Sequence, residues 1–287
     1  MSELALLQHV DYLMIGHVTQ DLTPQGPALG GTASYAALTA RAFGLRVGMI
    51  TSCRKDLNLE TFDGISIVRK EAQQNSTFIN QQTSTGRIQH IKGIAETLTL
   101  ADMPPAWRSA PLVHLGPILH EISGEITAAF PQAVLGVTPQ GWLREWDENG
   151  LISACRWTDA DQILSRADAA VISIEDVHGD EDVINEFASM LPVLVVTEGA
   201  AGARVYWNGD LRTFRPPAVQ EVDPVGAGDI FAVSFFIRYQ ATRDPWESAR
   251  FATLLAANSV TRLTLTGVPT EEEVKRSMTE IIELKTL

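Results

Sequence analysis

The segment 223–229, which reads DPVGAGD, combines small residues with an acid and leads directly into the apolar run Ile230–Ile237. Glycines at 226 and 228 let backbone N–H groups approach a ligand, and a helix N-terminus adds partial positive charge. Asp229, at the start of such a helix, would lie where a phosphate binds and would be able to take a proton from an attacking hydroxyl. The pattern therefore predicts phosphoryl transfer to an alcohol. A plain helix start capped by Asp is the alternative interpretation.

A second glycine pair, Gly30-Gly31, precedes the predicted helix Thr32–Phe43, which ends at Gly44. Asp21 follows the first predicted strand, Tyr12–Gly16, by five residues. Ligands of parallel sheets gather at the carboxyl ends of the strands, and an ionised acid there suits the paired hydroxyls of a polyol. The alternatives are a tight entry into a packed helix for the glycines and an Asx turn in a solvated loop for the aspartate.

The elements that would position these residues alternate between short apolar runs and helical patterns, which favours βαβ units and a parallel sheet. Two hairpins interrupt the alternation: one with a polar turn at 81–86, and one with Asn208-Gly209 at its turn, a type I′ signal. The predicted core strands after the first are Arg46–Ile50, Leu112–Gly116, Ala133–Val137, Ala169–Ser173 and Val193–Thr197, and the hairpin strands are Ser76–Asn80 with Arg87–Lys92 and Ala203–Trp207 with Asp210–Phe214.

Composition narrows the class of protein. The 287 residues are 45% hydrophobic, a globular composition, and carry a net charge of −13 without a cluster of Lys and Arg. Nucleic acid and anionic membranes are therefore not expected as partners, because both require concentrated positive charge. Cys53 and Cys155 lie far apart and lack a nearby Cys or His at ligand spacing. The first 16 residues lack the basic region of a signal peptide, and no apolar stretch is long enough for a membrane span, so we expect a cytoplasmic protein.

Taken in order, these motifs resemble the ribokinase-like, or PfkB, carbohydrate kinases over nearly the whole chain. The resemblance is carried by Asp21, Gly30-Gly31, the TEGAAG stretch at 197–202 and the DPVGAGD turn, of which Val225–Phe231 is the most specific piece. Within the family, Gly16-His17, the Gly30–Tyr35 segment and Gly86-Arg87 are similar to the inositol-kinase-like branch.

The resemblance implies one α/β domain over residues 1–287, a doubly wound, mostly parallel sheet with helices on both faces. A small β lid would come mainly from about 72–98 and a short segment near 17–29. It implies an ATP-dependent kinase that uses Mg²⁺ and phosphorylates a sugar, a polyol such as inositol, or a nucleoside. The implied roles are Asp229 as general base; Gly226, Ala227 and Gly228 as anion hole; Asp21, Gly30, Gly31, Tyr35 and Arg87 at the acceptor; Thr197, Gly199, Gly202, Asp223 and Asn258 at ATP; and Glu175 and Asp176 at the metal.

The chain departs from the family pattern at several positions. Tyr35 stands where Asn is usual, Pro224 replaces a common Thr, and Ser173 and Asp176 replace the ends of the Asn-x-x-Glu element. Leu135–Arg144, with Thr138, follows a strand end and is a candidate floor for the acceptor pocket, whereas His114 is interpreted as a core or surface residue.

Two other functions compete with the kinase. A non-catalytic regulatory relative that binds sugar or nucleotide is the main alternative, although such a binder would not need Asp229. A nucleotide-dependent oxidoreductase requires a Gly-x-Gly-x-x-Gly segment after the first strand, which Gly16-His17-Val18 does not provide. The expected partner is a small-molecule acceptor, and the exposed lid edge could pair between two copies of the chain in a homodimer.

Overall fold

The computed structural model describes residues 8–83 and 86–278. The six helices of this part are α1 Thr32–Ala42, α2 Ala160–Leu164, α3 Glu181–Ala188, α4 Ala227–Thr242, α5 Pro245–Ser259 and α6 Glu271–Met278. The strands are β1 Tyr12–Ile15, β2 Thr19–Thr23, β3 Gly26–Gly30, β4 Val47–Cys53, β5 Ser66–Glu71, β6 Ser76–Thr83, β7 Gly86–Gly93, β8 Leu112–Leu115, β9 Val134–Val137, β10 Arg144–Trp146, β11 Ile152–Ala154, β12 Ala169–Ser173, β13 Val193–Thr197, β14 Ala203–Trp207 and β15 Asp210–Phe214.

Nine strands form the main sheet in the order β15-β14-β13-β12-β9-β8-β1-β4-β5. The strands from β5 to β13 pair in parallel, and β14 and β15 add an antiparallel edge. Strand β1 lies between β4 and β8: the next strands of this sheet along the chain, β4 and β5, lie on one side of it, and the later strands from β8 onwards lie on the other, so the strand order reverses at this point. Crevices at the carboxyl ends of strands around such a point are where open α/β sheets bind ligands.

Helices cover both faces of the main sheet, as predicted. Alternate side chains of each strand face opposite sides, so Tyr12 and Met14 of β1 face one layer and Leu13 and Ile15 face the other. Helices α1, α4 and α5 cover the first side, and α2, α3 and several 3₁₀ turns cover the second. The doubly wound α/β fold predicted from the sequence is confirmed.

A second, four-stranded sheet has the order β3-β2-β6-β7. The predicted hairpin is present, but its strands run further than predicted, to Thr83 and from Gly86, because they continue to pair up to the register Thr83↔Gly86. The resemblance placed a short lid segment near 17–29 without giving its strands, and the structure forms β2 and β3 there, so that Asp21 lies in a strand.

The second sheet is joined to the main body at its β7 edge. The N–H of Ile91 donates to the carbonyl of Gly150 at 2.8 Å, and His90 forms a β-bridge with Leu151 in the turn of the β10–β11 hairpin. Phe78 and Ile91 also pack with Ile118 and Leu119 of the body. These contacts hold one face of the second sheet towards the carboxyl ends of the main strands.

Side chains cap the N-termini of the two C-terminal helices, α5 and α6. The carboxylate of Asp244 accepts from the N–H groups of Trp246 and Glu247, and Thr270 and Glu273 bond reciprocally at the start of α6. None of the described helices combines the length and the apolarity needed to cross a bilayer.

Candidate functional site

The 223–229 segment forms a tight turn into α4. Gly226 is the N-cap residue, with a left-handed backbone at φ 82°, and the helix begins at Ala227. Asp229 is therefore the third helical residue, within the first turn of α4, where backbone N–H groups lack helical partners. A Cβ at Gly228 would meet no atom within 4 Å, so the space in front of this residue is open.

The backbone amides of the turn are not equivalent. The N–H of Ala227 donates to the carbonyl of Pro224 at 3.2 Å and is used by the turn itself. Within residues 8–83 and 86–278, the N–H groups of Gly226 and Gly228 have no hydrogen-bond acceptor on the protein. Two of the three predicted anion-hole amides are therefore available to a ligand in this conformation.

Asp223 fastens this turn to the rest of the body. One carboxylate oxygen accepts from the N–H of Val225 at 3.0 Å, and the other accepts from the N–H of Thr264 at 2.8 Å. The backbone N–H of Asp223 donates to Val260, directly after α5. Both carboxylate oxygens of Asp223 thus accept hydrogen bonds from backbone N–H groups, which is a structural role. The contact of Asp223 with a nucleotide stays a prediction.

Tyr35 packs directly beneath Gly226. An added Cβ at Gly226 would lie 2.2 Å from Cε1 of Tyr35, and the tyrosine is only 2% exposed, among Ile230, Phe251 and Leu255. The ring therefore supports the turn from below, and its burial does not favour the predicted contact with an acceptor. No sequence signal linked these two positions, because α1 and α4 are far apart in the chain.

The Gly30-Gly31 segment lies at the end of β3 and at the start of α1. Gly31 is the N-cap of α1 with φ 82°, and a Cβ there would collide with Thr19 and with the carbonyl of His17. A Cβ at Gly30 would lie 2.8 Å from Oδ2 of Asp21, so the Asp21 carboxylate is next to this glycine pair. The structure brings these three predicted acceptor residues together. Arg87 lies in β7 opposite Gln82, and its side chain is outside the described residues.

The predicted nucleotide residues lie at the β13 end of the site and along α5. Thr197 ends β13 and donates through its hydroxyl to the carbonyl of Ile172, and Gly199 and Gly202 follow with φ of 56° and 105°. Gly202 cannot carry a side chain, because a Cβ would lie 2.0 Å from the carbonyl oxygen of Phe214. The side-chain NH₂ group of Asn258 donates to the carboxylate of Glu273 at 2.8 Å. This hydrogen bond uses the NH₂ end of the Asn258 amide.

The predicted metal residues follow β12. Asp176 accepts from the N–H of Ser173 at 3.0 Å and from the amide of Gln140 at 3.2 Å. Glu175 is exposed, and its carboxylate makes no hydrogen bond or ion pair within the described part of the chain. No cluster of three or more metal-ligating side chains occurs among the residues described. This donor set fits Mg²⁺, which keeps several waters and needs few carboxylates, and does not fit a fully protein-coordinated ion.

The β1–β2 connection rests on a buried network that sequence reasoning missed. Glu121, 2% exposed, accepts from the backbone N–H groups of His17, Ile118 and Leu119 at 2.7–3.0 Å. The ring of His17 bonds to Ser76 of β6 through Nδ1 and donates from Nε2 to the carbonyl of Glu96. Of the residues in this connection, only the Gly16-His17 pair was singled out in the sequence, and the hydrogen bonds of His17 to Ser76 and Glu121 were not predicted.

We expect Glu121→Gln to lower the free energy of unfolding by about 2–4 kcal/mol, because an NH₂ group would replace a buried oxygen that faces N–H donors. Glu125→Gln, at an exposed position in the same loop, is the matched control and should stay within about 0.5 kcal/mol. Urea unfolding of both variants measures the difference. Equal stability of the two variants would contradict a structural role for the Glu121 carboxylate.

A cavity of about 800 Å³ lies elsewhere, between the second sheet and the loop after β4. Its lining includes Gln20 and Thr77, which alternate with Asp21 and Phe78 and so face the other side of the sheet. None of the predicted site residues lines it. The predicted site is thus separate from this cavity.

Comparison with known proteins agrees with the fold. Residues 158–271 match the pfkB family of carbohydrate kinases, a stretch that includes Glu175, Thr197, Asp229 and Asn258. The cytidine kinase of Thermococcus kodakarensis (strain ATCC BAA-918 / JCM 12380 / KOD1) is 24% identical over 275 residues, 84% of this chain and 92% of that protein.

Two further similarities complete the comparison. The inositol 3-kinase of Zea mays is 37% identical over 95 residues, which are 32% of this chain and 24% of that protein. A solved pyrophosphate-dependent kinase of the ribokinase family, in complex with sulfate, shares 18% identity at a TM-score of 0.73, covering 93% of this chain and 100% of that one.

Proposed function

We propose that this chain, a relative of the PfkB carbohydrate kinases and thus a phosphotransferase with an alcohol group as acceptor, transfers the γ-phosphate of ATP to a hydroxyl of a sugar, polyol or nucleoside. The single observation that carries the proposal is the contact between Tyr35 and Gly226. Through it, the helix that starts at the Gly30-Gly31 pair supports the turn that holds Asp229. An acceptor beside Asp21 and a phosphate in front of Gly228 would then be neighbours.

In this proposal Asp229 acts as general base. The acceptor oxygen attacks the γ-phosphorus, the bond from that phosphorus to the bridging oxygen of ADP breaks, and the acceptor proton passes to the Asp229 carboxylate. The proton leaves late in a loose transition state, so a weak base at a helix N-terminus suffices. The free N–H groups of Gly226 and Gly228 would stabilise the charge on the transferring group, helped by the helix dipole.

Mg²⁺ supplies charge neutralisation at the phosphates when it is bound. Glu175 would hold it through water, because its carboxylate is exposed and without a partner among the described residues. Asp176, tied to Gln140 and to the Ser173 backbone, would orient the same loop.

The second sheet would act as the lid of the acceptor site. Asp21 on β2 would accept hydrogen bonds from acceptor hydroxyls, and Phe78 and Ile91 would exclude water on the same face. Exclusion of water favours transfer to the acceptor over hydrolysis of ATP. The other expectation, a non-catalytic sugar- or nucleotide-binding relative, predicts ligand binding without turnover.

The test is ADP release from Mg·ATP with myo-inositol, cytidine, fructose and ribose as acceptors. Stimulation at least tenfold over the rate without acceptor supports the kinase and gives its acceptor class. The same panel with pyrophosphate in place of ATP, followed as phosphate release, distinguishes the donor, since one structural neighbour uses pyrophosphate. Binding of ATP and an acceptor without turnover from either donor would favour the regulatory alternative.

A further inference from the structure

Three polar side chains form a chain of hydrogen bonds inside the main sheet, below the candidate site. Tyr12 of β1 and His114 of β8 are both fully buried, and Thr138, directly after β9, is 7% exposed. The hydroxyl of Tyr12 lies 2.7 Å from Nδ1 of His114, and Nε2 of His114 lies 2.9 Å from the hydroxyl of Thr138. The mechanism proposed above uses none of the three.

The His114 ring is held in one orientation by aromatic neighbours. Tyr12 and Phe236 both pack edge-on against it, with ring centroids 6.2 and 5.0 Å away. Phe236 lies two turns along α4 from Asp229. Burial lowers the pKa of His114 to about 3, so the imidazole ring is neutral at physiological pH. A neutral imidazole carries one N–H, so the hydrogen bonds can run in only one of two directions.

Burial decides between the two directions. If His114 carried its proton on Nδ1 and donated to Tyr12, the hydroxyl hydrogen of Tyr12 would need a second acceptor. Within the described part of the chain, the Tyr12 hydroxyl has no hydrogen-bond partner besides His114. An unsatisfied buried donor costs about 1–3 kcal/mol. In the opposite direction Tyr12 donates to Nδ1 and Nε2–H donates to Thr138, so the fully buried hydrogen of Tyr12 has an acceptor. The hydrogen left over is then that of the Thr138 hydroxyl, at the end of the chain of hydrogen bonds that is 7% exposed.

The remaining donor is then the hydroxyl hydrogen of Thr138. This oxygen would lie 3.2 Å from a Cβ placed on Gly116, at the carboxyl end of β8. The same position is bounded by Thr32, the first residue of α1 after Gly31. Thr138 therefore lies at the carboxyl ends of the central strands, beside the glycine pair of the acceptor site.

We propose that Thr138 is a specificity-determining residue that donates a hydrogen bond to an oxygen of the acceptor, and that Tyr12 and His114 position its hydroxyl for this role. The contact with the acceptor rests on the kinase function proposed above. The direction of the hydrogen bonds does not depend on that function. The acceptor atom that faces the Thr138 hydroxyl would be an oxygen with a free lone pair, such as a hydroxyl or a carbonyl oxygen of a sugar or polyol.

The direction is tested without any substrate by two-bond ¹⁵N–¹H correlation spectra of histidine-labelled protein. His114 is assigned among the six histidines by its nuclear Overhauser contacts with the rings of Tyr12 and Phe236. We expect a neutral ring with the proton on Nε2 throughout pH 6–9. A proton on Nδ1 would overturn the proposed positioning, whatever the enzyme turns out to phosphorylate.

The contact with the acceptor is tested by Thr138→Val, which keeps the shape and removes the hydroxyl, with Thr138→Ser as the variant that retains it. Using whichever of myo-inositol, cytidine, fructose or ribose supports turnover, we expect Val to raise the acceptor KM roughly 3–10-fold, as loss of one neutral hydrogen bond implies. The KM for ATP should be unchanged in both variants, and Ser should remain within about twofold of wild type, well inside that range. An acceptor KM unchanged in Thr138→Val overturns the contact. Absence of turnover in the wild-type enzyme overturns the kinase function instead and leaves the NMR result to decide the positioning.

Discussion

Replacement of Asp229 by Asn should lower kcat by roughly 10²- to 10⁴-fold, the range of a lost general base. The amide has nearly the same shape but cannot take the proton from the acceptor hydroxyl. Because the N–H groups of Gly226 and Gly228 are unchanged, binding of ATP should stay within about threefold, a free-energy change below that of one neutral hydrogen bond. Steady-state ADP release and calorimetric titration with ATP measure the two quantities.

The matched control is Asp244→Asn at the N-cap of α5. The Asp244 carboxylate caps a helix remote from the turn, and Asn caps almost as well as Asp, so both activity and stability should be retained. Turnover of Asp229→Asn within about threefold of the control would remove Asp229 from the role of base.

Replacement of Gly226 by Ala should produce the largest combined loss, in stability and in turnover. The new methyl group would lie 2.2 Å from the ring of Tyr35, and the residue would have to keep a φ of 82°. Left-handed backbone costs about 1–2 kcal/mol for a residue with a side chain, and overpacking adds about 1–3 kcal/mol. We therefore expect the free energy of unfolding to fall by about 2–5 kcal/mol, measured by urea unfolding.

Gly209→Ala separates these two costs. Gly209 has a similar φ of 80°, but a Cβ there meets no atom within 4 Å, so only the conformational cost should appear. Tyr35→Ala in the Gly226→Ala background should recover part of the overpacking cost. Equal losses in Gly226→Ala and Gly209→Ala would show that Tyr35 does not support the turn.

Most of the main sheet was predictable from the sequence, because its strands are buried on both faces and therefore read as apolar runs. Ala169–Ser173, Val193–Thr197 and both strands of the Asn208-Gly209 hairpin have the predicted bounds. The turn residues at that hairpin adopt the positive φ that a type I′ turn requires, 52° and 80°.

The second sheet was harder to predict, since β2 and β3 face the body on one side only and contain polar residues, Gly and Pro. These two strands pair with each other as a local hairpin, and β2 is joined to the rest of the sheet through β6, which is more than 50 residues away in the chain. Local patterns carry no information about the contact with β6, so the strand that contains Asp21 could not be delimited from the sequence.

The candidate site shows the same division. The motifs predicted which residues lie at the carboxyl ends of the strands, because glycines and acidic residues at turns can be recognised in the sequence. Tyr35 beneath Gly226 and the Tyr12–His114–Thr138 chain depend on packing between separate elements, and a buried polar residue in an apolar strand has no local signature of its partner. These contacts became evident only from the three-dimensional arrangement.

The most direct test of phosphoryl transfer is ³¹P NMR of a reaction containing the protein, Mg·ATP and the acceptor that most stimulates ADP release. We predict a new phosphomonoester resonance that is coupled to a carbinol proton of the acceptor, grows together with ADP, and grows at least about 10²-fold more slowly with Asp229→Asn. ADP and inorganic phosphate as the only new products, in equal amounts with both proteins, would contradict the claim that this chain phosphorylates an alcohol through Asp229.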